Sequence, residues 1–281
     1  MENIEKLITQ DKLIKSGERI AVAVSGGEDS MALLTYLNNI KEKYDFEEED
    51  FMSAEIEIVP AGKARDLGLD RSMVAGYGHD DRICAYTSLL ALLETESTKK
   101  TSVVLLVDKE EVGSIGATGM QSRFFENAVA ELMDRVGAYS ELKLRRALAN
   151  SKMLSSDVTA AFDPNYAGAY EKKNSAFFGK GLAFAKYTGA RGKSGCNDAN
   201  AEFVAWLRNV MDENDVAYQM AELGKVDQGG GGTIAYILAE YGMEVIDCGV
   251  ALQNMHAPWE VASKVDIFET MRGYKAFLMA E

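Results

Sequence analysis

Thr101-Ser102-Val103-Val104-Leu105-Leu106-Val107-Asp108-Lys109-Glu110-Glu111-Val112-Gly113-Ser114 decides how this chain is read. Its first half is an apolar, β-favouring run of strand length, which predicts a buried strand. Its second half sets two adjacent glutamates before a glycine. A buried strand that ends in charged residues delivers them to one end of a sheet, where open α/β proteins build their sites. Two neighbouring carboxylates there can divide the labour, Glu110 and Glu111 serving one as metal ligand and the other as proton carrier. A solvated strand end is the simpler account of a lone Glu-Glu pair, so the surrounding chain has to decide.

Outward from that stretch, strands and helices alternate. Arg19 to Val24 predicts a strand that runs into Ser25-Gly26-Gly27-Glu28-Asp29-Ser30 and then a helix from Met31 to about Tyr44. A glycine turn between a buried strand and a helix start is a good anion cradle, because free N–H groups and the helix dipole point the same way; it is equally a tight turn with Asp29 or Ser30 as cap. After the acidic run Glu47-Glu48-Glu49-Asp50, Ala54 to Val59 alternates with period two and stops at Pro60, a half-exposed strand signature. Helices are expected at 83–94, 122–136, 139–150, 199–211, 233–241 and 262–277, with a strand at 244–250 and a loop-dominated stretch with short strands over 163–200. Four consecutive glycines, Gly229 to Gly232, mark a close backbone approach. The expected architecture is α/β, a twisted mixed sheet flanked by helices with the site at strand C-termini.

Composition narrows the function classes. The 281 residues are 47% hydrophobic and 26% charged, an ordinary globular profile. No apolar stretch nears the roughly 20 residues of a membrane span, and the N-terminus lacks a signal-peptide pattern, so a cytoplasmic protein without membrane contact is expected. Three widely spaced cysteines indicate neither a disulfide framework nor a thiolate metal cage. A formal charge of −14 repels nucleic acid, and the basic cluster Lys143-Leu144-Arg145-Arg146 reads more simply as a solvated helix face.

Four scattered segments carry acid and imidazole groups: His79-Asp80-Asp81, Glu110-Glu111, Asp157 after Ser155-Ser156, and His256 within Asn254-Met255-His256-Ala257-Pro258. Carboxylates plus imidazole without thiolate suit zinc, manganese or cobalt. A single histidine is more often structural than a ligand, so the four segments are suggestive only as a set.

Taken in order, these segments resemble a known family. Val59-Pro60-Ala61-Gly62-Lys63-Ala64-Arg65-Asp66, Gly78 to Ala85, Asp108 to Ser114, Ser156-Asp157 with Pro164-Asn165-Tyr166, Gly224 to Gln228 with the glycine run, and Met255 to Pro258 together resemble the C-terminal part of the aspartyl aminopeptidase family of co-catalytic zinc exopeptidases, over residues 47–281. The resemblance implies a metal-dependent aminopeptidase acting on small peptides with an acidic N-terminal residue. It implies that Asp80 bridges two zinc ions, that Glu111 and His256 complete one site, that Asp157 serves the other, and that Glu110 is the general base toward a metal-activated water. Arg191 and Lys193 are candidates to read the substrate carboxylate, or form a solvated basic loop.

The chain also departs from that family. Its usual N-terminal half, with a His-x-Asp motif supplying a ligand to the second metal, and its inserted dimerisation domain are not recognisable, and residues 1–46 contain no histidine. The family's homo-oligomer is therefore in doubt here. Residues 1–46 instead resemble a strand–loop–helix of the pyrophosphatase-loop ATP enzymes, similar to tRNA(Ile)-lysidine synthetase, in which Ser25, Gly26, Gly27, Asp29 and Ser30 would hold phosphates. The leading expectation is a metalloaminopeptidase; the alternatives are an ATP-dependent tRNA-modifying enzyme and a non-catalytic, chimeric or truncated chain.

Overall fold

The structure is a computed structural model that describes residues 35, 39, 48–52, 59–190, 194–225, 228 and 230–280. The predicted strands at 19–24 and 54–59 (apart from Val59), the 31–44 helix (apart from Thr35 and Asn39), the phosphate-loop residues Ser25, Gly26, Gly27, Asp29 and Ser30, and Arg191 and Lys193 lie outside the described residues. The chain divides into two compact units, Met1–Ala61 and Gly62–Glu281. In the first, Glu48–Met52 is helical.

In the second unit the strands are β1 (Arg65–Leu67), β2 (Met73–Gly76), β3 (Lys152–Ser156), β4 (Thr159–Ala160), β5 (Leu182–Ala185), β6 (Tyr187–Ala190), β7 (Ser194–Asp198), β8 (Tyr218–Ala221), β9 (Glu244–Gly249), β10 (Ala251–Gln253) and β11 (Glu260–Ser263). The helices are α1 (His79–Leu93), α2 (Phe124–Arg135), α3 (Glu141–Ala149), α4 (Ala201–Glu213), α5 (Ala235–Ala239) and α6 (Lys264–Met279). One sheet has the order β1-β2-β11-β10-β4 and another β3-β9-β5-β8, while β6 and β7 form a hairpin. The first two share their strands. β3 continues into β4 and β9 into β10, and the ladder carries on across the join: Asp157 N–H donates to the Cys248 carbonyl at 3.0 Å and Thr159 N–H to that of Val250 at 3.0 Å.

The sheet is mixed, as expected: β3 runs parallel to β9 and β5 to β8, whereas β5 and β9 are antiparallel. Its inner strands are buried on both faces, which explains near-continuous apolar runs such as Leu182-Ala183-Phe184-Ala185. Against them pack α4 and α6, giving a core of Leu182, Phe184, Phe203, Leu207, Met211 and Ile246. Each such fully buried side chain contributes about 1.5–3 kcal/mol. α6 lies close against β5 because residue 273 is glycine: a Cβ there would come within 2.7 Å of Leu182 Cδ2. A smaller core of Cys84, Val158, Val250, Leu252 and Ala262 joins the start of α1 to the strand joins.

One expectation fails. Thr101 to Val107 forms no strand. A strand exists only through a ladder, and this run has no strand neighbour among the described residues; Val103 and Leu106 are 51% and 56% exposed. The run instead walls a cavity of about 730 Å³ whose other sides include Val129, Met153 and Trp206.

Candidate metal centre

Each site residue sits where a regular element ends. Asp80 lies at the start of α1, after Gly78, and keeps non-helical backbone angles. Glu110 and Glu111 occupy a 3-10 turn, Glu110–Val112, between Lys109 and Gly113, both left-handed. Asp157 falls at the β3–β4 join, the carboxyl end of a sheet strand, where open α/β folds place their sites. His256 lies in the β10–β11 loop with a left-handed φ of 64°.

The structure brings three of them into direct contact. His256 Nε2 lies 3.0 Å from Asp80 Oδ2 and 3.1 Å from Glu111 Oε1. One ligand atom from each of Asp80, Glu111 and His256 falls within a mutual 4.8 Å. Asp80 is the buried member, its side chain 7% exposed, whereas Glu111 and His256 open to solvent.

Glu110 and Asp157 complete the electrostatics. Burial pushes the Glu110 carboxyl up to about 7, helped by the charges of Glu111 and Asp80. Asp80 rises to about 6, again through burial first and then Glu111, with His256 pulling the other way. The carboxyl of Asp157, a half-buried residue, is raised by desolvation, then by Asp80 and Glu110. Its Oδ1 accepts the Val158 N–H at 2.7 Å. The strand beside it must be glycine at 249, because a Cβ there would stand 1.9 Å from the Asp157 carbonyl oxygen. Glu110 and Asp157 both face the large cavity.

Two functional-looking carboxylates escape a sequence reading. Glu260, buried in β11, accepts the Asp80 N–H at 3.1 Å and the His256 N–H at 2.9 Å. Asp247, buried in β9, accepts the Thr188 hydroxyl at 2.6 Å and that of Thr233. The signal for Asp247 is a charge inside the apolar run Val245-Ile246-Asp247-Cys248; for Glu260 it is a charge between Trp259 and Val261.

The profile of the family described as "Aminopeptidase I zinc metalloprotease (M18)" matches residues 2–278. This chain belongs to the M18 family. Its similarity to the probable M18 family aminopeptidase 1 of Clostridium acetobutylicum is 67% identity over 259 residues, 92% of this chain and 56% of that protein. The crystal structure of aminopeptidase I from the same organism superposes with a TM-score of 0.81, covering 91% of this chain and 55% of that one. That of the M18 aminopeptidase from Thermotoga maritima, 46% identical, gives 0.84 over 92% of this chain and 57% of that one. The chain thus spans a little over half the length of these M18 relatives.

The family is one of zinc metalloproteases, and the donor set fits. Two carboxylates and an imidazole, aimed at a common point from three elements, are hard-to-borderline donors of the kind zinc takes in open sites. No helix among the described residues is long and apolar enough to cross a membrane.

Proposed function

We propose that this chain carries the catalytic machinery of a metal-dependent aminopeptidase that removes an N-terminal residue, with acidic residues preferred. The observation that carries the reading is the convergence of Asp80, Glu111 and His256 within 4.8 Å beside a partly buried glutamate, Glu110, held near pH 7. Asp80, Glu111 and His256 would hold one ion, and Asp80 with Asp157 would contribute to a second that lacks its usual imidazole in this chain. Bound there, the metal supplies Lewis acidity toward the scissile carbonyl and lowers the pKa of a water.

The chain's own residues do the rest. Glu110 takes the proton of the attacking water and passes it to the departing amine. Its carboxyl, raised to about 7, is balanced between the two tasks near neutral pH. It is not among the three converging ligands, so its proton chemistry is separable from metal retention. Asp80 is held in place by its buried side chain and by the main-chain bond to Glu260. Arg191 and Lys193 are the cations proposed to meet an acidic substrate side chain.

Glu110→Gln tests the assignment. It should abolish hydrolysis of an N-terminal Asp amide substrate, a loss of about 10²–10⁴-fold or more, while zinc content after dialysis stays at the wild-type level. Retained activity, or zinc lost with the glutamate, refutes the role. A wild-type chain that hydrolyses nothing at any zinc, manganese or cobalt loading refutes the activity itself.

A further inference from the structure

We infer that Glu260 is the positioning residue that fixes Asp80 and His256 relative to one another and so sets metal affinity; the inference rests on the metal-site reading above. The two ligands are far apart in sequence, and one carboxylate ties both. Oε2 of Glu260 takes the Asp80 N–H at 3.1 Å and Oε1 takes the His256 N–H at 2.9 Å. The residue is 2% exposed. A buried carboxylate without hydrogen bonds is strongly unfavourable, so these two donors are what make its burial tolerable.

Its place in the fold explains why it can reach both. β11 pairs antiparallel with β2, placing Glu260 opposite Gly76. From Gly76 the chain runs directly through Tyr77 and Gly78 into the start of α1. On its other side β11 pairs with β10, and the loop between those strands carries His256. Glu260 therefore stands where the strand before α1 and the hairpin loop meet.

Both amides need a partner. The N–H groups of a helix's first turn have no acceptor within the helix, so the Asp80 N–H depends on an outside oxygen. His256 holds a left-handed φ of 64°, uncommon for a residue with a side chain, and its N–H bond to Glu260 secures that conformation. Without the clamp the hairpin loop loses the tie that keeps Nε2 within 3.0 Å of Asp80 Oδ2. Outer partners that orient metal ligands are worth about 10–100-fold in affinity when removed.

Glu260→Gln and Glu260→Ala of the full chain test this by zinc titration calorimetry, by the visible spectrum of the cobalt-loaded protein, and by amide hydrogen exchange of the metal-free protein. Alanine removes both acceptors and should weaken zinc about 100-fold. Glutamine keeps one acceptor oxygen and should weaken it about 10-fold. Both should alter the cobalt bands, which a substitution that merely lowers stability would leave unchanged in the bound state. Exchange should accelerate together at Asp80 and at His256. Zinc affinity within twofold of wild type, unaltered cobalt bands in either folded variant, or faster exchange at only one of the two amides overturns the role. A wild-type chain that takes up no zinc overturns the metal reading and this role together; equal zinc binding by wild type and variant overturns this role alone.

Discussion

Asp80→Asn should make the metal-free protein more stable at pH 8 than the wild type, although it removes a proposed ligand. The Asp80 carboxyl is only 7% exposed and is pushed from 3.8 to about 6, first by burial and then by Glu111. That rise corresponds to about 3 kcal/mol. The sign follows from the direction: a carboxyl whose folded pKa exceeds its unfolded one binds protons more tightly when folded. Its stabilising contribution is complete below about pH 4 and is lost as pH climbs through 6. Asparagine carries no such charge. Denaturant unfolding in EDTA at several pH values between 4 and 8 should therefore show the variant gaining on the wild type by about 3 kcal/mol across that range. Glu110 titrates in both proteins and loses part of its own rise in the variant, because Asp80 is one of the charges that lifts it. Zinc at about 1,000-fold over the wild-type Kd should reverse the order, since it adds about 4.1 kcal/mol to the protein that binds it. Parallel stability curves for the two metal-free proteins would refute the reasoning.

Two further substitutions probe the frame around the site. Gly249→Ala puts a methyl group 1.9 Å from the Asp157 carbonyl oxygen and 2.7 Å from Cys84 Sγ, so the β9 ladder must shift at the strand join; a loss of about 3 kcal/mol or more is expected in denaturant unfolding, and a neutral result would contradict the close approach. Phe184→Ala empties the middle of the main core, where Phe184 is 1% exposed. It should cost about 3–5 kcal/mol, read from the denaturation midpoint with the slope unchanged.

Which features were legible in the sequence depends on how local their physics is. Phe203, Leu207, Val210 and Met211 recur at helical spacing, and all four are buried along α4, because a helix writes its buried face into its own sequence. The short strands do not. β1 and β11 have three and four residues, with charges among them, and exist only through their ladders with β2 and, for β11, with β10 as well. The run from Thr101 to Val107 shows the reverse case: strand composition without a strand, since pairing is a property of two segments and composition of one. The proposed metal ligands Asp80, Glu111 and His256 stand out as acid and imidazole at predicted element ends, and the structure brings them together. Glu260 and Asp247 did not stand out, because a charged residue reads as solvated until the donors that bury it are known. Those donors lie up to 180 positions away for Glu260.

The centre concentrates like charge where folding least tolerates it. Asp80 raises the pKa of both Glu110 and Asp157, Glu110 raises that of Asp157, and burial is the largest cause of the rise in all three. Without a cation, it is the charge of His256 that lowers both Asp80 and Glu110. Such a cluster persists only if the surrounding fold holds it. The apolar base of Cys84, Val158, Val250, Leu252 and Ala262, together with the Glu260 clamp, does so. The same repulsion acts with opposite sign once a divalent ion is available, because the ion's charge replaces the protons the carboxyls would otherwise retain. The destabilisation of the metal-free fold above pH 6 and the affinity for metal are therefore one interaction seen from two sides. Weakening the cluster to gain stability must, on this account, surrender binding in proportion.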